Sequence, residues 1–517
     1  MPRLSELLFA ALSAAAPGSV PASAASPPSL SYAIDLNDRA DDLFKVTLTV
    51  EGLGPANGIY QFASTAPGTY QVMNIGRFVR GFEVLDEAGA KIRVEQVSVN
   101  QWRIAEPARA RTIRYAIAET WDTKVEQNQV YLMCGTSIER DHVLINPHAV
   151  IGYPSGLQRA PIRLRLAYPA AWKVGTALKR DGKGSYRAES YDELVDSPIL
   201  IGRLTDARMM VTGIPVEIYA YSKTDKIKAP QLLGAMDDML EAAGRFLGRL
   251  PVDRYTFLYH FEDQSAGAWE HSLSSEYVFE ESEFTDSLGR TLTDIAAHEF
   301  FHVVTPLNIH SEIIEHFNFV TPVPSQHLWL YEGTTEWAAH VMQLRAGLKS
   351  PEDYLAHMLR KLQIDRTAFD SSYSLRELAL TSYSDSGQAQ YANIYMRGAL
   401  TAGLLDIRLL ELSKGERGLQ DVILELTRKF GKDRAFPEAG LVDTLVAMPH
   451  PEVRDFFARY VWESERLPVA EYYAKLGIRL VEDAEGRAVR FEIDPNPTPE
   501  QRRLREAWLG RQPRKAT

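Results

Sequence analysis

The sequence predicts an α+β multidomain protein, with an N-terminal antiparallel β domain followed by a mostly helical domain. Three observations lead there. A chain of 517 residues exceeds one ordinary domain. From about Ser26 it breaks into short runs of alternating apolar or β-branched residues separated by turn formers. After about Thr224 the apolar residues change to the three-and-four spacing of helices.

In the first part, residues 31–36, 43–50, 58–63, 91–99 and 112–118 read as strands. Gly54, Pro55, Gly68 and Gly89 punctuate them. Residues 162–167 and 211–221 continue the pattern, so 26–210 is taken as the β domain. Residues 229–247 then read as a helix, 255–261 and 275–279 as strands, and 292–304 as a helix stopped by Pro306. Helices follow at 328–348, 354–362, 391–412, 418–430 and 451–462. This gives a strand-then-helix unit over 211–435, a helical continuation over 436–475 and a short charged tail over 476–517. In the tail, 478–481 and 489–493 can pair as a hairpin, and 495–517 reads as solvated.

The N-terminus has the features of an export signal over residues 1–25: Arg3, an apolar run over 7–16 and Ala22-Ser23-Ala24 as a small-x-small cleavage site. A disordered Ala/Pro/Ser tail is the competing reading. A cleaved signal places the mature chain in the periplasm or outside the cell. No other stretch approaches the ~20 apolar residues of a membrane-spanning helix, so no integral membrane segment is expected in the mature chain. The net charge of -11 argues against nucleic acid as a partner. With Cys134 as the one cysteine, an internal disulfide and cysteine-ligated zinc motifs are excluded. The oligomeric state is left open.

His298-Glu299-Phe300-Phe301-His302 is an H-E-x-x-H motif inside an expected helix. Positions i and i+4 share a helix face, so two imidazoles can ligate one zinc ion while Glu299 reaches a water beside it. The third ligand cannot be a histidine six residues after His302, because that position is Asn308. Glu332 is the expected third ligand, on a following helix. Glu312 and Glu315, in a Pro-flanked loop, compete for the role. Glu336, four residues after Glu332, is expected either to accept a hydrogen bond from a ligand histidine or to be a solvated carboxylate.

With these residues the chain resembles the gluzincin zinc peptidases, and among them the glycyl aminopeptidase family, number sixty-one of the metallopeptidases. Four motifs carry the likeness: the zinc helix; Leu328-Trp329-Leu330-Tyr331-Glu332-Gly333; Gly267-Ala268-Trp269-Glu270-His271; and Tyr395-Met396-Arg397-Gly398-Ala399-Leu400. The resemblance spans roughly 30–475 and implies a thermolysin-like catalytic domain holding one Zn2+ per chain and acting on peptide substrates. It implies that Tyr395 assists catalysis by stabilising the oxyanion, and a preference for small N-terminal residues. Glu270 has the chemistry to hold a substrate's α-ammonium group, its other reading being an exposed loop or edge-strand glutamate. The backbone of Gly267 and Ala268 could pair with an extended peptide. Three departures stand out. Trp269 replaces a smaller apolar residue, the gap from His302 to Glu332 is long, and about forty residues follow residue 475 where family members often carry a PDZ domain. The rival readings are a zinc endopeptidase or other hydrolase on the same site, and a non-catalytic peptide-binding protein.

Overall fold

A computed structural model describes residues 28–511, apart from Ala266 and Pro449. The export-signal reading of residues 1–25 lies outside these described residues. The β domain is built on an eight-stranded sheet whose central strands are Ile162–Ala167, Ser29–Asp35, Leu43–Glu51 and Thr112–Ala118. Alternation fixes which face is buried: Leu30, Tyr32 and Ile34 turn inward, as do Ile162, Leu164 and Leu166. The pairing is antiparallel except between Ser29–Asp35 and Ile162–Ala167, which run parallel. Two four-stranded sheets complete the domain, one of them containing His142–Ile145 and Ile199–Gly202.

The next sheet has five strands in the order Thr205–Val211, Ile214–Ser222, Tyr255–Glu262, Ser274–Glu280 and Gly267–His271. The run 211–221, expected as one strand, is interrupted. Thr212 and Gly213 both take positive φ and turn the chain, so the sheet begins upstream, at Thr205. Its middle strands are parallel, and Gly267–His271 is an antiparallel edge. Helices Ala229–Leu247, Asp286–Phe301 and Thr334–Ala346 pack together beside it, and Asn393–Leu412 packs against Thr334–Ala346. Among the described residues no helix is long and apolar enough to cross a membrane.

The C-terminal segment differs from the solvated tail expected over 495–517. Ile478–Glu482 and Ala488–Ile493 pair as a hairpin, and Pro499–Trp508 is a helix capped by Thr498. Trp508 is 1% exposed, and its ring lies 5.4 Å from that of Tyr354. The high charge of this stretch conceals three apolar residues at helical spacing, Leu504, Ala507 and Trp508, which bury one face while the arginines cover the other. Trp508→Ala is expected to cost about 3–5 kcal/mol of stability, read as a fall in melting temperature. A melting temperature equal to the parent's would return this segment to the solvent.

Candidate metal centre

Helix Asp286–Phe301 carries His298 and Glu299 near its end, and His302 sits at its C-cap. The helix starts earlier than the expected residue 292, because the Thr285 hydroxyl accepts from the Leu288 amide at 3.1 Å. Asp294 therefore lies within the helix, where it pairs with Lys349 at 2.7 Å. The motif's two phenylalanines anchor it. Phe300 meets Tyr255 of the sheet edge to face at 4.8 Å, and Phe301 meets Phe246 of the neighbouring helix at 6.1 Å. With that face buried, His298, Glu299 and His302 turn the other way.

His298 Nε2 and His302 Nε2 are 3.1 Å apart, and Glu332 Oε2 is 3.5 Å from each. His298 Nδ1 donates to Glu336 Oε2 at 2.6 Å, and His302 Nδ1 donates to the Thr305 carbonyl at 2.9 Å. These acceptors take the Nδ1 protons, so in each ring Nε2 is the atom that faces Glu332 and can offer a lone pair to a metal. Two imidazole nitrogens and a carboxylate oxygen thus converge on one point, where a positive charge, a proton on His298 or a metal ion in its place, is favoured. Tetrahedral zinc, with bonds near 2.0–2.1 Å, needs ligand atoms about 3.3 Å apart. The donor types and spacing fit that ion. Burial pushes His302 down to about 4, whereas Glu332 and Glu336 outweigh burial and hold His298 well above the usual histidine range, so a cation binding here displaces a proton from His298.

Glu332 sits on a π-helical turn, Trp329–Gly333, leading into helix Thr334–Ala346. Here the chain crosses helix Asn393–Leu412 at Gly333 and Gly398. A methyl on Gly333 would lie 2.6 Å from Gly398 Cα, and one on Gly398 would lie 2.7 Å from Gly333 Cα. This glycine-on-glycine contact brings Glu332 and Tyr395 to one cleft. Glu312 and Glu315, the competing ligands, lie on a separate short helix, where Glu312 accepts from the Glu438 amide at 3.2 Å.

Glu336 is a hub. Besides His298 it meets His340 at 3.2 Å and Lys361, which is 5% exposed. Burial alone would raise its carboxyl, but Lys361, His298 and His340 outweigh burial and hold it well below the usual carboxylate range. Glu299 lacks such partners. Burial, with Glu332 and Glu336 adding to it against the opposing pull of His298, pushes it up to about 8, and its buried Oε2 has no hydrogen-bond partner. A cavity of about 440 Å³ opens onto His298, Glu299, Glu336 and Tyr395.

The Tyr395 ring lies 5.6 Å from that of His298, and its hydroxyl is 3.3 Å from that of Tyr391. Glu270 is on the edge strand Gly267–His271, 9% exposed, with one carboxylate oxygen within 4.8 Å of donor atoms of Glu299 and His302. Gly267 and Ala268 lie on the same strand, whose outer edge pairs with no described strand.

Three participants escaped the sequence reading. Tyr391 precedes Tyr395 by one helical turn, a spacing that was visible. Lys361 gave no signal, because only packing brings its helix to Glu336. Tyr70 comes from the β domain, with its hydroxyl 3.5 Å from Glu332 Oε1 and its backbone at φ +46°, a conformation uncommon for a residue with a side chain. Next to it, Gly68 at φ +78° packs so closely on Glu270 and Trp269 that a methyl would not fit.

A sheet with an accessible edge strand, a motif helix beneath it and a glutamate on a later helix are the thermolysin-like peptidase architecture. The chain belongs to the M61 peptidase family: residues 31–203 match the Peptidase M61 N-terminal domain, and residues 291–401 match the M61 glycyl aminopeptidase. No curated protein sequence matches it. Among solved structures, an aminopeptidase N family protein from Idiomarina loihiensis shares the fold with a TM-score of 0.78 at 22% identity, over 91% of this chain and 82% of that one. Native leukotriene A4 hydrolase from Saccharomyces cerevisiae is similar with a TM-score of 0.52 at 13% identity, over 87% of this chain and 70% of that one. The yeast enzyme has also been solved in complex with bestatin, with a TM-score of 0.52 at 13% identity, over 85% of this chain and 68% of that one.

Gly398→Ala is expected to force the two helices apart, costing about 1–3 kcal/mol in stability and lowering peptidase activity beyond the loss of folded protein. Thermal melts and hydrolysis rates on the same samples check this. Unchanged values for both would mean that the close crossing does not matter.

Proposed function

We propose that this chain is a zinc-dependent aminopeptidase that removes small N-terminal residues from peptides. The observation that carries the reading is the convergence of three acceptor atoms, on His298, His302 and Glu332, beside a buried carboxylate, Glu270. No salt bridge to Glu270 occurs among the described residues.

His298, His302 and Glu332 would hold one zinc ion, and Glu336 fixes the His298 ring. Bound there, zinc supplies Lewis acidity toward a scissile carbonyl and an attacking water. In its ionised form, Glu299, with its unpartnered Oε2, takes the proton of the attacking water and delivers it to the leaving amine. The Tyr395 hydroxyl donates to the oxygen on which negative charge develops. Glu270 holds the α-ammonium group and so measures one residue from the N-terminus. The edge backbone at Gly267 and Ala268 aligns the peptide as an added strand. Gly68, Tyr70 and Trp269 crowd the space beside Glu270, which supports a preference for small first residues. The features of residues 1–25 support export of the mature chain, and recovery of the uncleaved chain in the cytoplasm on cell fractionation would count against it.

Glu299→Gln is expected to retain zinc by elemental analysis while kcat falls by about 10²–10⁴-fold; undiminished turnover would remove Glu299 from its role. Glu332→Ala should lose the bound ion, and a chelator should abolish activity until zinc is restored. On paired substrates the enzyme should cut free aminoacyl peptides and spare N-blocked ones, and Glu270→Ala should erase that discrimination. Equal cleavage of blocked and free peptides by the parent enzyme would instead mark an endopeptidase.

A further inference from the structure

Away from the cleft, another set of donor atoms converges. Strand His142–Ile145 belongs to the β domain, and strand Tyr255–Glu262 to the sheet under the zinc helix. On the latter, His260 and Glu262 are two residues apart and so share a face. The structure assigns a second metal site to His142, His260 and Glu262, one that takes a zinc-like divalent ion and joins the two domains.

His142 Nε2 lies 2.8 Å from His260 Nε2 and 3.6 Å from Glu262 Oε1, and the three donor atoms all fall within 4.8 Å of one another. These distances bracket the spacing of about 3.3 Å required by tetrahedral zinc. Both histidines are 1% exposed, whereas the Glu262 side chain is 13% exposed and gives an ion its way in.

Orientation is built in. His142 Nδ1 donates to Asp141 Oδ1 at 3.1 Å, leaving the lone pair at Nε2. Asp141 is itself held by Arg203 at 3.1 Å and by the Tyr221 hydroxyl at 3.2 Å. Tyr221 stacks on the His142 ring at 3.6 Å, and Trp121 stacks on the His260 ring at 4.9 Å. Lys223 binds Glu262 through Oε2 at 3.1 Å, which leaves Oε1 toward the histidines. His260 Nδ1 has no hydrogen-bond partner, and the ring's polar contact is at Nε2. A hydrogen bond between the imidazoles engages two of the three converging atoms and leaves the partly exposed Glu262 Oε1 to water. A divalent cation satisfies all three, with donor types suited to zinc.

The test is metal content. The parent chain, a His298→Ala/His302→Ala variant, and that variant with His142→Gln/His260→Gln added are stripped with chelator, reloaded with zinc chloride and desalted. Elemental analysis then gives zinc per chain. The expected result is two ions in the parent, one in the double variant and none in the quadruple variant, with zinc raising the melting temperature of the double variant but not of the quadruple one. His142→Gln alone, in case the larger variants fold poorly, should hold one ion and keep its peptidase activity. One ion in the parent with none in the double variant overturns the proposal, as does an ion retained by a folded quadruple variant. Loss of peptidase activity alone bears on the first site and leaves this stoichiometry readable.

Discussion

Three acceptor atoms turned toward one point are the constraint around which the cleft is organised. His298 Nε2, His302 Nε2 and Glu332 Oε2 favour a positive charge among them, as the upward hold of Glu332 and Glu336 on His298 shows, and burying them away from water is costly. The fold nevertheless fixes them. Each imidazole is gripped from behind, by Glu336 and by the Thr305 carbonyl, and Glu336 is compensated by buried Lys361. A site already shaped for a cation loses little freedom when one binds.

The same cleft explains the interlocking of the domains. Tyr70 leaves the β domain to join the core cluster of the catalytic half, and Trp269 leaves the catalytic half to join the core of the β domain. The Trp269 indole donates to the Pro67 carbonyl at 3.2 Å, which holds the Gly68–Tyr70 loop over Glu270. The larger residue at position 269 thus fastens the loop that lies against Glu270. The candidate His142, His260 and Glu262 site would tie the same two halves together from another side, linking metal content to domain placement.

Much of the fold was legible, for reasons visible in particular residues. Leu30, Tyr32 and Ile34 alternate because a sheet face is buried, and His298 and His302 are four apart because a helix turn brings them together. Boundaries were less legible. Thr285 begins the zinc helix through one local hydrogen bond, and Trp508 holds down a helix whose charge made it look solvated.

By itself, the sequence determined the histidine pair with Glu299 between them, the order of the motifs and the two-part architecture, because period and spacing act through the local backbone. Sequence favoured Glu332 over Glu312 and Glu315, which carry the same chemistry, but only the tertiary structure, through the contact of Gly333 with Gly398, brings Glu332 to the histidines. The tertiary structure also decided what Tyr70, Lys361 and the pair His142 and His260 do. Their partners are distant in the chain, and no local pattern records a contact that packing creates.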